Sequence, residues 1–352
     1  MRILLIGDMT PFVTTSARVE ALRALGSSVE TVDYLEFVRS ESRLVTRLDH
    51  WTLLTPNVFR LNRTIRESVR RFEPDVVWIE KGTYVFTRTL RRLRDDTSLT
   101  LVYHNTDDWK LKSRLQRIHW RHLLRSLPIY DVHITSNHHN VQEFRALGFP
   151  HVYHMELAAN SAVRDPGPIS PEERRALGGP VGFIGHWEPN TERALAHLVR
   201  AGIPLKIYGG GWNRRLVSSE LGECNQGRFV WGDEYARAIC SFDVNIGIVS
   251  QVNRSHTASR TFQIPALGGF LLHERNDVVA RHFREGVEAD FFGSDDELVE
   301  KCRHYLAHPE ERLRIAEAGR RRCVESGYFE IDRVREILPF LEEQVRENTE
   351  RR

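Results

Sequence analysis

Arg2-Ile3-Leu4-Leu5-Ile6-Gly7-Asp8 opens the chain, and the fold turns on how it is read. The apolar run is too short for a helix and is cut off at once by Gly7-Asp8. It fits a strand buried on both faces. A polar loop follows to residue 16. Residues 17–25 then place Val19, Leu22 and Leu25 on one helical face, and Gly26 ends the helix. Residues 29–34 form the next strand. A strand, a helix and a second strand in that order make one turn of a parallel sheet.

The alternation continues outward from this unit. A basic helical stretch at 61–72 leads through Glu73-Pro74 to a strand at 75–79. Residues 88–94 are helical, 99–104 and 132–135 are strands, and Ser136 or Asn137 caps a helix at 141–147 that Gly148 stops. The cluster Asp165-Pro166-Gly167-Pro168, Ser170-Pro171 and Gly178-Gly179 reads as a linker. Beyond it the pattern restarts, with strands at 181–184, 205–208, 244–249, 271–272 and 289–292. Helices fall at 192–201, 295–307, 309–326 and 333–348. The fold class is α/β, with doubly wound parallel sheets covered on both faces. The expected division is an N-terminal acceptor-binding domain at 1–163, a linker at 164–179 and a C-terminal nucleotide-sugar-binding domain at 180–330. A terminal helix at 331–352 is expected to pack back toward the N-terminal domain. Open α/β sheets bind ligands outside the C-terminal ends of their strands, so a cleft between the two domains is the expected site.

Composition narrows the classes further. The chain has 352 residues, long enough for two domains that each bury a core. With 41% hydrophobic and 28% charged residues it is not a disordered chain. No apolar run approaches the roughly 20 residues of a membrane span, and no secretory signal pattern is present. Cys224, Cys240, Cys302 and Cys323 form no C-x-x-C pair, so the expected setting is a reduced cytoplasm. After the first strand, Gly7-Asp8-Met9-Thr10-Pro11 has one glycine where a dinucleotide fingerprint needs three. No phosphate-binding P-loop and no H-E-x-x-H spacing occur either.

Three strand-end loops of the C-terminal half carry ligand-binding chemistry. Gly185-His186-Trp187-Glu188-Pro189-Asn190 leads into a helix near Arg193, and a glycine there lets a phosphate approach the backbone. Gly209-Gly210-Gly211-Trp212 follows the strand at 205–208. The third loop runs from Arg254 through Arg260 and Gln263 to Gly268-Gly269, and its two arginines suit a diphosphate.

The run from Arg260-Thr261-Phe262-Gln263-Ile264-Pro265-Ala266 through Leu267-Gly268-Gly269 resembles the signature of CgeB-like glycosyltransferases, a branch of the GT-B superfamily. Several other stretches are similar to that family: Gly209 to Trp212, Trp231-Gly232 with Tyr235, and His308-Pro309-Glu310-Glu311-Arg312. In the N-terminal half, Glu80-Lys81-Gly82 and Tyr103-His104-Asn105-Thr106-Asp107-Asp108 resemble two of its strand ends. The resemblance implies two Rossmann-like domains, with a nucleotide-sugar donor, UDP-sugar first, held mainly by the C-terminal one. It implies a donor site of Gly185, His186, Arg193, Gly209, Gly210, Tyr235, Arg254, Arg260, Gln263, Gly268 and Gly269. An acidic residue that binds ribose in relatives is Gln263 here, and its partner acid is Ser255. An amide can bridge two ribose hydroxyls but lacks charge assistance. By resemblance a retaining outcome is expected.

Transfer needs a stabilised leaving diphosphate and a base for the acceptor hydroxyl. Base candidates at N-terminal strand ends are Asp8, Glu80, His104, Asp107 and Asp108, with Lys81, Trp109 and Lys110 on the acceptor side. Asp107-Asp108 resembles the metal-binding pair of the GT-A fold, but the preferred reading is a helix cap. His138-His139 reads as surface or capping residues. No metal site and no cofactor are expected.

The net charge of +2 hides an asymmetry. Residues 39–125 carry nineteen Lys+Arg against ten Asp+Glu, an excess of +9, so the remainder is near −7. Leu111, Leu115 and Ile118 fall on one face of a helix carrying Lys110, Lys112, Arg114, Arg117, Arg121 and Arg125. An ordinary solvated basic helix explains this as well as a functional face does. The functional readings are an anionic acceptor (a phosphorylated glycan, a lipid-linked sugar or nucleic acid) and peripheral contact with an anionic membrane. Trp51, Trp109 and Trp120 could stack on a sugar, though packing is the simpler role for each. The expected activity is glycosyl transfer. The alternatives are a nucleotide-sugar 2-epimerase of the same fold or an inactive nucleotide-sugar or nucleic-acid binding module.

Overall fold

The computed structural model describes residues 1–38, 53–96, 98–110, 113–213 and 219–350. Trp51, Leu111, Lys112 and the Leu115 side chain lie outside the described residues. The chain divides into unit 1, Met1–Glu156 with Glu330–Arg352, and unit 2, Leu157–Phe329.

Unit 1 contains β1 (Arg2–Gly7), β2 (Ser28–Asp33), β3 (Val76–Glu80), β4 (Thr100–Asn105), β5 (Val132–Thr135) and β6 (Val152–His154). All neighbours are parallel, in the order β2-β1-β3-β4-β5-β6. Ile3, Leu4, Leu5 and Ile6 are at most 1% exposed, so helices cover both faces, as the unbroken apolar run requires. Helix Glu330–Glu350 supplies part of that cover. Its Val334, Ile337 and Leu341 pack with Val19 and Leu22 of helix Thr14–Ala24 on Ile3, Leu5, Trp78 and Val102.

Unit 2 contains β7 (Gly179–Ile184), β8 (Leu205–Tyr208), β9 (Phe242–Gly247), β10 (Leu271–Glu274) and β11 (Asp290–Phe292). Their order is β11-β10-β9-β7-β8, again all parallel. Read from β8, it repeats the arrangement of unit 1 read from β2. In each unit the winding reverses between the first and third strands, β1/β3 and β7/β9. The crevice outside the C-terminal ends of those strands is where such sheets bind ligands.

Two expectations are corrected. The stretch 164–179 is not a bare linker, because the crossing between units falls after Glu156 and the stretch belongs to unit 2. Within it Ser170 and Glu173 form a reciprocal capping box on helix Pro171–Leu177, and Pro171 takes the first helical position. The basic stretch near 110–125 is not one amphipathic helix. Ser113 caps a short helix, Arg114–His119, and after a break at Trp120 a second runs Arg121–Ser126. Among the described residues no helix is long and apolar enough to cross a membrane.

Candidate functional site

In unit 2 the loops after β7 and β8 interlock. The Gly185 amide donates to the Tyr208 carbonyl at 2.9 Å, the Trp187 amide to Gly210 at 2.8 Å, and Trp212 Nε1 to Gly185 at 2.9 Å. Gly209 has φ +129, and a Cβ there would stand 2.1 Å from the Gly185 oxygen. A Cβ on Gly185 would lie 2.5 Å from Arg260 Nη1. The glycines therefore let two backbones and one guanidinium share a single strand-end crevice.

Arg260 occupies the reversal point itself. Nη1 donates to the Ile184 carbonyl at 2.9 Å and Nη2 to the Ile248 carbonyl at 2.9 Å, which spans the ends of β7 and β9. Its guanidinium lies 5.1 Å over the Phe183 ring. Nε is buried without a hydrogen-bond partner. Among the described residues no carboxylate forms an ion pair with it. Burial pushes its pKa down, against the fields of Tyr235 and Glu188. A cation withdrawn from water with two neutral carbonyls as partners lacks its counter-charge. Burial moves the Tyr235 hydroxyl up to about 12 while Arg260 pulls it back, so the two groups share this pocket.

Other expected donor residues divide. His186 is exposed, with its ring 5.7 Å from Phe229. Arg193 already pairs with Asp295, Nε to Oδ2 at 2.9 Å, and with it edges a cavity of about 280 Å³ at the ends of β9 to β11. Arg254 sits in the loop after β9 in a left-handed conformation, φ +47. Gln263 is turned inward: Oε1 accepts from the Asn160 amide at 2.7 Å and Nε2 donates to the Val163 carbonyl at 3.4 Å. Those bonds clamp the segment near 160 to helix Ser259–Ala266 and engage both ends of the amide. Gly268-Gly269 are corrected on topology. Their amides donate to Pro265 and Ile264 carbonyls and close the C-terminus of that helix, which places them at the opposite edge of the sheet from Arg260.

Three residues outside the expected donor set also lie here. Phe229 and Trp231 are 43% and 59% exposed and stack at 5.7 Å and 22° beside the glycine loops. Their signal was positional, since Val230 between them is buried. Glu188 accepts from the Ser250 hydroxyl at 2.5 Å and from the amides of Gln251 and Val252, which fixes the loop that carries Arg254.

In unit 1 the register aligns Ile6 with Ile79 and Glu80 with His104, so Asp8, Lys81 and Asn105 follow at one edge. Glu80 Oε1 accepts from Arg18, from Trp78 Nε1 at 3.1 Å, and meets His104 Nδ1 at 3.0 Å. Arg18 also reaches Glu330 at 2.8 Å. Burial raises the Glu80 carboxyl, but Arg18 and His104 outweigh it and hold it at about 2. A carboxylate so occupied is a poor proton acceptor, and His104, 1% exposed, stands behind it. Asp108 is buried and accepts from the Lys110 amide at 3.0 Å. It caps this turn, while Ser113 caps the following helix. Asp8 accepts from the Thr10 amide at 2.9 Å.

Lys81 has φ +59, a strained geometry for a non-glycine residue, and its Nζ lies 2.7 Å from Asp107 Oδ2. Lys81, Asp107, Glu80, Tyr84 and Trp120 line a cavity of about 240 Å³. Trp109 and Lys110 are tied to Glu143, by Nε1 at 2.6 Å and Nζ at 2.6 Å, so Trp109 serves packing against Phe144.

Comparison with solved structures settles the architecture. HepE from Anabaena, in complex with UDP-glucose, superposes with TM-score 0.67 at 11% identity, covering 97% of this chain and 100% of that one. Sucrose-phosphate synthase from Thermosynechococcus elongatus gives 0.65 at 13% identity, over 97% and 98%. The fold is GT-B. A candidate UDP-N-acetylglucosamine 2-epimerase from Listeria monocytogenes is more distant, with TM-score 0.55 at 12% identity over 96% and 94%. Residues 189–339 match the family described as Glycosyl transferase-like. That segment, which holds Arg193, Gly209, Arg260 and Gln263, is the part of the chain that is similar to this family. No curated protein sequence matches the chain.

Proposed function

We propose that the protein is a glycosyltransferase of the CgeB-like branch that takes a sugar from a UDP-sugar, with unit 2 holding the donor and unit 1 the acceptor. The observation that carries the reading is Arg260, a buried cation with no carboxylate ion-paired to it among the described residues, at the ligand-binding edge of a glycine-lined crevice. A diphosphate supplies that counter-charge. The exposed Phe229–Trp231 stack offers a flat face to the base, and the UDP-glucose bound by HepE supports uridine.

In the transfer the acceptor oxygen bonds to the anomeric carbon. The bond from that carbon to the diphosphate breaks, its electron pair leaves with the phosphate oxygen, and the acceptor proton passes to a base. Arg260 stabilises the charge that develops on the leaving oxygen. Asp107, which lines the unit 1 cavity and is 30% exposed where Glu80 is 10%, takes the proton, with Lys81 orienting it. The acceptor is anionic. A groove of about 540 Å³ in unit 1 supports this, because Arg88, Arg91 and Arg125 border it beside Phe59 and Phe86.

Thermal shift and turnover with UDP, GDP, dTDP and ADP sugars test the reading. UDP is expected to stabilise the protein, and a UDP-sugar to be consumed. No binding and no donor loss across the panel would overturn it. Conversion of UDP-N-acetylglucosamine without any acceptor would favour the epimerase, and binding without turnover the inactive module. Asp107→Asn should lower kcat by roughly 10²–10⁴-fold with UDP affinity unchanged. An unchanged kcat would remove Asp107 from the mechanism.

A further inference from the structure

One cluster of nitrogen and oxygen donors in unit 1 lies outside the residues assigned above to donor, acceptor or proton transfer. His138 opens helix His138–Ala146, His154 ends β6, and Glu156 follows two residues later. The β5–β6 register pairs Thr135 with His154 and so sets the end of the strand beside the first turn of the helix. Each of the three offers one ligand atom, and these atoms lie within 4.8 Å of one another. His138 Nε2 is 3.9 Å from Glu156 Oε2, and the two imidazole rings stack at 4.1 Å and 22°. The reading of His138 as a plain capping residue is thus incomplete, since Asn137 makes the cap through the amides of His139 and Asn140.

We propose that His138, His154 and Glu156 bind a divalent transition-metal ion, with zinc as the natural occupant. Two imidazole nitrogens and one carboxylate oxygen, completed by water, form an established tetrahedral zinc donor set. Hard ions such as magnesium prefer oxygen shells and are disfavoured. Zinc bonds of about 2.0–2.1 Å place neighbouring ligand atoms about 3.4 Å apart. The His138–Glu156 separation of 3.9 Å must therefore close by about half an ångström as the ring stack opens, which side-chain rotation allows. The outer contact is already in place. His154 Nε2 meets the Ser136 carbonyl at 3.2 Å, the kind of bond that fixes the tautomer and orientation of a metal-bound imidazole.

The three ligands come from two pieces of backbone, the start of the helix after β5 and the end of edge strand β6, so the ion ties one to the other. It lies on none of the residues assigned to donor, acceptor or proton transfer. The proposal stands whether or not the protein transfers a sugar.

The test uses the full chain, stripped with a chelator and titrated with Zn²⁺ and Co²⁺ by calorimetry and visible absorption. Wild type should bind one ion per chain, show the absorption of tetrahedral Co²⁺, and melt at higher temperature with Zn²⁺. His154→Ala and Glu156→Gln should each raise the dissociation constant by at least roughly tenfold, while His139→Ala leaves it unchanged. Far-UV dichroism confirms that each variant is folded, and Glu156→Gln, which keeps the side-chain shape, serves if His154→Ala is not. Absence of binding to wild type would overturn the proposal, as would equal affinity in folded Glu156→Gln.

Discussion

Arg260→Ala should lower UDP affinity and turnover by roughly 10²–10³-fold while leaving the unliganded melting temperature close to that of wild type. Both halves follow from the same geometry. The guanidinium donates to Ile184 and Ile248 carbonyls, and these bonds offset part of the cost of withdrawing a cation from water. Among the described residues no carboxylate forms an ion pair with the guanidinium, Glu188 acting only through its field, and Nε has no hydrogen-bond partner. Alanine therefore removes two hydrogen bonds and an uncompensated charge together, and the two contributions oppose each other in the free protein. With a diphosphate bound they no longer cancel, because the ligand provides the missing charge. Arg260→Lys should fall between, since a point charge cannot span two carbonyls and a phosphate as a planar fork does. Calorimetric titration with UDP, with melting curves in its presence and absence, separates the two contributions. If the alanine variant binds UDP as wild type does, the donor-site assignment fails.

The strand pattern was legible because buried parallel strands must be apolar without interruption. Ile3-Leu4-Leu5-Ile6 and the apolar core of Val76–Glu80 announce themselves. β6 was missed because Val152-Tyr153-His154 is short and only half-buried at the sheet edge, where the pattern fades. The stretch 164–179 was misread because proline and glycine mark irregular backbone without saying what that backbone packs on. Gly178 shows this: a Cβ there would sit 2.0 Å from the Ser241 carbonyl oxygen.

The candidate site was legible in its glycines and in Arg260, since each sits directly after a strand or at the start of the next helix. Gly268-Gly269 looked equivalent by composition alone. Topology distinguishes them, because in a parallel unit the helix-to-strand turns fall at the edge away from the ligand. Gln263 and Glu80 were opaque for a different reason. What each does is decided by partners distant in the chain: Asn160 and Val163 for one, Arg18 and Glu330 for the other. No local pattern encodes such pairs.

Arg18→Met should destabilise unit 1 by about 3–5 kcal/mol near neutral pH, and the loss should shrink as the pH falls. Arg18, 3% exposed, lies between the Glu80 and Glu330 carboxylates and also faces the Trp78 ring at 5.7 Å. Methionine preserves much of the apolar volume and leaves two buried carboxylates without their shared cation. In wild type the Glu80 carboxyl falls from 4.5 to about 2 on folding. A depressed pKa contributes stability that is fully present above the unfolded value and is lost as pH falls toward the folded one. That contribution is on the order of 3 kcal/mol for a carboxyl about a tenth exposed. Without Arg18, one of the two groups that hold the Glu80 carboxyl down is gone, while burial still pushes it up. The variant then has less of this stability to lose over the acid range in which wild type loses it. The gap between the two stability curves should narrow as the pH falls from about 5 toward about 2 in urea unfolding followed at several pH values. A constant gap, or a loss below about 1 kcal/mol at neutral pH, would show that the network is not what holds these carboxylates ionised. Because Glu330 is the first residue of the helix that returns to unit 1, the same variant should also expose helix Glu330–Glu350 to faster hydrogen exchange.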